Sequence, residues 1–181
     1  MHGNGAFRFE PGDALLVVDV INDFDHDDGG ALLESFTDRL GTMERAISKA
    51  RANGTPVLYV NDAHGRWDGD VPALVRSAHS AVRSVTPSPT DPFVLKHRYS
   101  GFDHTPLDLL LGELHVERIV LAGAATEGCV LQTAIDAREH GLKATILADA
   151  CATTSAELER IALEYAARVG GIRVQRLGLR P

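Results

Sequence analysis

Cysteine is scarce in this sequence, with two among 181 residues. Cys129 and Cys151 could in principle pair with one another. No stretch approaches the ~20 consecutive apolar residues that a membrane-spanning helix needs. The opening residues, MHGNGAFRFEPGD, lack the charged-then-apolar order of an export signal. A reducing cytoplasm is therefore expected, with Cys129 and Cys151 as free thiols. A basic block is also missing, and the formal charge is −7, from 18 basic and 25 acidic side chains. Such a chain offers little to nucleic acid or to an anionic membrane, so neither is expected as a partner. Internal repeats and low-complexity segments are absent as well.

What is present is an ordinary globular composition, 44% hydrophobic and 24% charged. A chain of 181 residues is long enough for one domain with a sizeable core and short for two, so residues 1–181 are expected to form a single domain.

Ala14 to Val20 (ALLVVDV) is an apolar run interrupted by one acid. Runs without alternation suit a strand buried on both faces of a parallel sheet. Asp19 reads either as a strand-end residue closing a loop or as a functional acid. A carboxylate in so apolar a run is costly unless paired, which favours function. Helical spacing then covers Leu32 to Ala52 and closes at Asn53-Gly54. A second strand, Pro56 to Val60, leads into the loop NDAHGRWDGD, and a weaker helix runs from about Val71 to Val82. A third strand, Phe93 to Leu95, ends in Lys96. Thr105 as N-cap and Pro106 at the first helical position open a helix to about Leu114.

Arg118 to Gly141 reads as a short apolar strand, the small-residue turn AATEG, and a helix entered at Cys129. A fifth strand (Ala144 to Leu147), a helix (Ser155 to Val169) and a last strand (Ile172 to Gln175) complete the pattern. Six strands alternating with helices predict an α/β, three-layer doubly wound fold, with parallel strands and helices on both faces.

Ligands bind such sheets beyond the carboxyl ends of the strands. Three reactive residue types stand there: Asp19, Lys96 and Cys129. Each has an ordinary reading, as a structural acid, a surface lysine or a packed thiol. Together they make an acid, a cation and a nucleophile. A helix start and a nearby ammonium favour thiolate over thiol, and a carboxylate beside them can accept and return the thiol proton. The turn GAATEGC supplies backbone N–H groups suited to an oxyanion hole. This combination points to acyl transfer through a thioester.

The stretches ALLVVDVINDF, VLKHRYSGFDHTPLDLLL, VLAGAATEGCVLQTAIDA and LADACATT carry a resemblance. In them the chain resembles the isochorismatase-like cysteine hydrolases, a family that includes nicotinamidases and carbamoyl-amide hydrolases. The resemblance implies a sheet of order 3-2-1-4-5-6 and a catalytic triad of Asp19, Lys96 and Cys129. It implies an oxyanion hole from the N–H groups of Ala125 and Cys129, with a cis peptide bond between Ala124 and Ala125. It further implies a pocket wall that includes Phe24, and a homo-oligomer, dimer or tetramer.

Trp67 and Glu127 are further candidate substrate contacts, each with a plain alternative in packing or in facing solvent, and Gln132 is read the same way. Asp149 and Cys151 match the family pattern and read as structural. Nicotinamidases carry a metal site after the second strand. Asp62 and His64 match its first two positions, but Asp70 stands where a histidine is expected. No required metal is therefore expected, with weak zinc binding near Asp62 and His64 left open. Members named for isochorismate hydrolysis can lack the cysteine; its presence here points toward amide hydrolysis. The expectation is a hydrolase that cleaves a C–N bond of a small carboxamide, ureido or lactam compound. Its rivals are ester or vinyl ether hydrolysis on the same scaffold, and a binding or assembly protein without turnover.

Overall fold

The computed structural model describes residues 7–63 and 70–178. Its strands are β1 (Asp13–Val18), β2 (Val57–Asp62), β3 (Phe93–Lys96), β4 (Arg118–Gly123), β5 (Lys143–Cys151) and β6 (Arg173–Gln175). They form one six-stranded sheet in the order β3-β2-β1-β4-β5-β6, with every neighbouring pair parallel. This is the order implied by the resemblance. Every residue of the central strands β1 and β4 is buried, which explains why their sequences run apolar without alternation.

The helices are α1 (Gly29–Ala52), α2 (Val71–Ser77), α3 (Leu107–Glu113), α4 (Leu131–Glu139) and α5 (Ala156–Arg168). Successive residues of β1 point to opposite faces of the sheet. Leu15 and Val17 accordingly join the cluster built on Phe36, Met43 and Ile47 of α1. Leu16 and Val18 join Leu107 and Leu111 of α3 and Ala134 of α4. Truncating a fully buried member such as Leu16 to alanine costs about 2–5 kcal/mol. Near the amino ends of the strands, Arg118 of β4 donates to both oxygens of Asp13 of β1, at 2.7 and 2.6 Å, in a buried bidentate pair. No helix of the described residues is long and apolar enough to cross a membrane.

Three local expectations are revised. The helix expected over Val71 to Val82 is divided. Ala78 and His79 take extended backbone, and His79 Nδ1 accepts the Ala81 N–H at 3.2 Å to start a separate 3-10 turn, Ser80–Val85. Thr105 sits one residue before the cap position, although its hydroxyl still accepts the N–H of Leu107 at 3.2 Å. β5 extends to Cys151 because the residues after Leu147 stay on the sheet, where Cys151 is in register with Gly123.

Candidate active site

β1 ends at Val18 because Asp19 turns into the left-handed region, with φ 48°. The side chain of Asn61 secures the chain just beyond this turn. Its Oδ1 accepts the Ile21 N–H at 2.9 Å, and its Nδ2 donates to the Ile21 carbonyl at 3.0 Å. The parallel register of β2 and β3 sets Lys96 beside Asp62. Lys96 is fully buried, and its ammonium is met by three groups: Asp19 Oδ2 at 2.7 Å, the Arg98 carbonyl at 3.0 Å and Cys129 Sγ at 3.3 Å. The other oxygen of Asp19 accepts the Asp62 N–H at 2.6 Å. A buried ammonium is tolerated only when it is surrounded in this way.

The turn after β4 brings the sulfur to this point. Gly123 has φ 129°, and a Cβ there would lie 2.0 Å from the Val18 carbonyl oxygen, so no other residue fits. The Ala124–Ala125 peptide bond is cis. Thr126–Val130 then forms a single π-type turn, closed by the Val130 N–H on the Ala125 carbonyl at 3.2 Å. Cys129 lies inside this turn and α4 begins at Leu131, which corrects the expectation that a helix is entered at Cys129. Thr126 anchors the turn by donating from both its N–H (2.8 Å) and its hydroxyl (3.0 Å) to the Ala152 carbonyl. The N–H of Ala125 has no backbone or side-chain acceptor among the described residues.

Electrostatics at the sulfur reverse one expectation. Burial pushes the Cys129 thiol up to about 12; the Asp19 carboxylate adds to the rise and Lys96 opposes it. Desolvation therefore outweighs the nearby cation, and the resting sulfur is a thiol rather than a thiolate. Burial also raises Asp19, although Lys96 and hydrogen bonds from Cys129 and the Asp62 N–H pull it back down. For Lys96, burial alone would lower the pKa, but Asp19 and Cys129 together lift it above the ordinary lysine value. The site is an ammonium–carboxylate pair holding a neutral thiol.

A cleft of about 640 Å³ opens over Cys129, with walls that include Asp62, Arg98, Tyr99, Gln132 and Asp136. Gln132 and Asp136 follow Cys129 at helical spacing, and Gln132 Nε2 donates to Asp136 at 3.0 Å. That spacing is a sequence signal by which Asp136 is findable. Arg98 and Tyr99 lie in the segment after the third strand, where α/β folds place ligands.

Two expected substrate contacts are engaged elsewhere. Phe24 is buried in the core beside α1, its ring edge-on to Phe36 at 5.5 Å and to His79 at 5.9 Å. Glu127 spends both carboxylate oxygens on the chain after β5. One accepts the Thr153 hydroxyl at 2.7 Å, and the other accepts the Thr154 N–H at 2.8 Å and the Thr154 hydroxyl at 2.5 Å. Trp67 and His64 lie outside the described residues. Asp149 accepts the Leu177 N–H at 2.8 Å, and Cys151 is fully buried.

The described residues include no group of three or more His, Cys, Asp or Glu arranged to hold a metal ion. The carboxylate of Asp70 instead caps α2, accepting the Ala73 N–H at 2.9 Å.

Comparison with known proteins places this geometry in context. The family model described as Isochorismatase domain matches residues 13–175. An uncharacterized isochorismatase family protein of Bacillus subtilis, YaaI, is 34% identical over 155 residues, covering 83% of this chain and 86% of its own. The ureidoacrylate amidohydrolase RutB of Methylobacterium radiotolerans is 32% identical over 189 residues, covering 82% of this chain and 70% of its own. Among solved structures, the N-carbamoylsarcosine amidase from Thermoplasma acidophilum superposes with a TM-score of 0.73 at 29% identity, covering 93% of this chain and 98% of its own. The chain belongs to the isochorismatase family of hydrolases.

Proposed function

We propose that the protein is a cysteine-dependent amidohydrolase that cleaves a C–N bond of a small carboxamide, ureido or lactam compound through a thioester. The observation that carries this reading is Lys96 standing between Asp19 and Cys129, at 2.7 and 3.3 Å, beneath an open cleft. The amidase names of RutB and of the Thermoplasma acidophilum enzyme support the amide assignment.

With the thiol pushed up to about 12, forming a thiolate in advance at neutral pH costs on the order of 7 kcal/mol. Proton transfer is therefore coupled to attack. As sulfur bonds to the carbonyl carbon, Asp19 takes the thiol proton. Lys96 keeps its proton throughout and offsets the negative charge that moves between sulfur, carboxylate and oxyanion. The oxyanion is received by the N–H groups of Ala125 and Cys129; one such donor is worth about 3–4 kcal/mol in comparable chemistry. The amine leaves with the proton held by Asp19. Asp19 then draws a proton from water as it attacks the thioester, and the acid is released with the thiol restored.

Intact-mass spectrometry against a broad amide panel tests this reading. The expected result is an acyl adduct on Cys129 together with release of ammonia or amine, both lost in Cys129→Ala with little change in melting temperature. Turnover of esters or vinyl ethers without any amide establishes the rival reaction. A fully active Cys129→Ala protein moves the nucleophile elsewhere.

A further inference from the structure

The walls of the cleft differ in charge from what a carboxylate-bearing substrate requires. Three aspartates, Asp62, Asp103 and Asp136, line it among the described residues, against a single formal cation, Arg98. Arg98 is already committed, its Nε lying 3.4 Å from Asp103 Oδ2. Below the cleft, Lys96 and Asp19 offset one another at 2.7 Å. In the sequence, residues 64–69 carry one arginine and one aspartate, whose formal charges cancel. Carboxylates are therefore in excess around the reacting sulfur. Charges of one sign lining a cleft concentrate ligands of the other sign and repel their own. RutB, by contrast, is named for ureidoacrylate, which carries a carboxylate.

We infer that the cleft over Cys129 admits neutral and cationic compounds and disfavours anionic ones, so that the amide it cleaves carries no carboxylate near the scissile bond. This rests on the amidohydrolase reading only for its last clause. The charge preference belongs to the cleft whatever reaction occurs there.

Two methanethiosulfonate reagents of similar size test it on the whole chain, one bearing a trimethylammonium group and one a sulfonate. Their rates of modifying Cys129 are read by intact mass and normalised to 2-mercaptoethanol, with Cys129→Ala as the control for buried Cys151. The normalised rate should favour the cationic reagent by about tenfold at low salt and approach parity as salt rises. Asp136→Asn should reduce the ratio. Asp103→Asn should reduce it further, because it removes a carboxylate and releases Arg98. A ratio at or below one at low salt overturns the inference. A second arm compares matched amides bearing an ammonium, no charge or a carboxylate; kcat/KM should fall in that order, and preference for the carboxylate also overturns it. Failure of every amide while the reagent ratio holds counts against the amidohydrolase reading and leaves the charge preference standing.

Discussion

The ammonium of Lys96 lies 3.3 Å from the sulfur of Cys129, yet that thiol is pushed up to about 12 rather than down. Burial of the sulfur is the main cause, and Asp19 adds to it, because its carboxylate lies closer still to the ammonium, at 2.7 Å, and cancels much of the ammonium's pull on the sulfur. Lysine and aspartate thus act as one nearly neutral unit. On the proposed mechanism, that unit holds a base beside the thiol rather than ionising the thiol in advance.

Removing either partner should move the thiol in opposite directions. Asp19→Asn deletes the carboxylate that raises the thiol and unmasks Lys96, so alkylation of Cys129 should begin at lower pH than in the parent. Lys96→Met deletes the cation that opposes the rise, so it should begin at higher pH. Both should lose turnover by about 10²-fold or more, since one lacks the base and the other its counter-charge. Iodoacetamide labelling across pH, read by mass, decides this. Shifts of the same sign in both variants would show that the two residues do not oppose each other at the sulfur.

The pH profile of turnover follows from Asp19 as base. The active form is the carboxylate, so kcat/KM should fall as pH drops through its pKa. Burial raises that pKa, which places the acid limb above the ordinary aspartate value. Lys96 is lifted above the ordinary lysine value, so it should cause no alkaline loss below about pH 10. An acid limb at or below the ordinary aspartate value would contradict the role given to burial.

Glu127 joins the turn that carries Cys129 to the chain after β5 through three donors on Thr153 and Thr154. Glu127→Gln keeps the shape but replaces one acceptor oxygen with an amide NH2, setting a donor against a donor. A loss of about 1–3 kcal/mol is expected, seen as a lower melting temperature. Turnover should fall as well, because the same contacts hold Cys129 in place. Unchanged melting and unchanged turnover together would remove Glu127 from this role.

Chelation should leave activity intact. Asp70 stands where nicotinamidases supply a histidine, and its carboxylate is spent on the Ala73 N–H. Exhaustive treatment with a chelator, followed by assay with and without added zinc, measures this. Loss on chelation with recovery on zinc would contradict it.

The alternation of strands and helices and the meeting of Asp19, Lys96 and Cys129 were legible because Asp19 interrupts one apolar run, Lys96 ends another and Cys129 follows the turn after a third, and the ends of parallel strands converge; the strand order itself came from the family resemblance. Other features depend on contacts that local patterns do not carry. The Glu127–Thr154 link spans 27 positions, and nothing around Glu127 distinguishes a staple from a substrate contact. Phe24 reads as a pocket wall from its motif, and its edge-on packing against Phe36 at 5.5 Å is a contact that motif matching does not carry. The direction of the Cys129 shift depends on how deeply the sulfur is buried, a quantity that motif spacing does not contain. The break after α2 rests on two residues, Ala78 and His79, whose extended backbone interrupts an otherwise continuous helical spacing.

Lys96 is the final residue of β3, a four-residue strand at the rim of the sheet that is paired with β2 alone. Rim strands open at a smaller free-energy cost than the centre of a sheet. Were β3 to peel away, the ammonium would leave Asp19 and Cys129 while β1 and β4 stayed joined through their parallel pairing at the centre of the sheet and the Asp13–Arg118 pair. In rising denaturant the molecule should consequently cross two thresholds, becoming inert before it becomes unfolded, with the β3 amides exchanging their hydrogens ahead of those in β1.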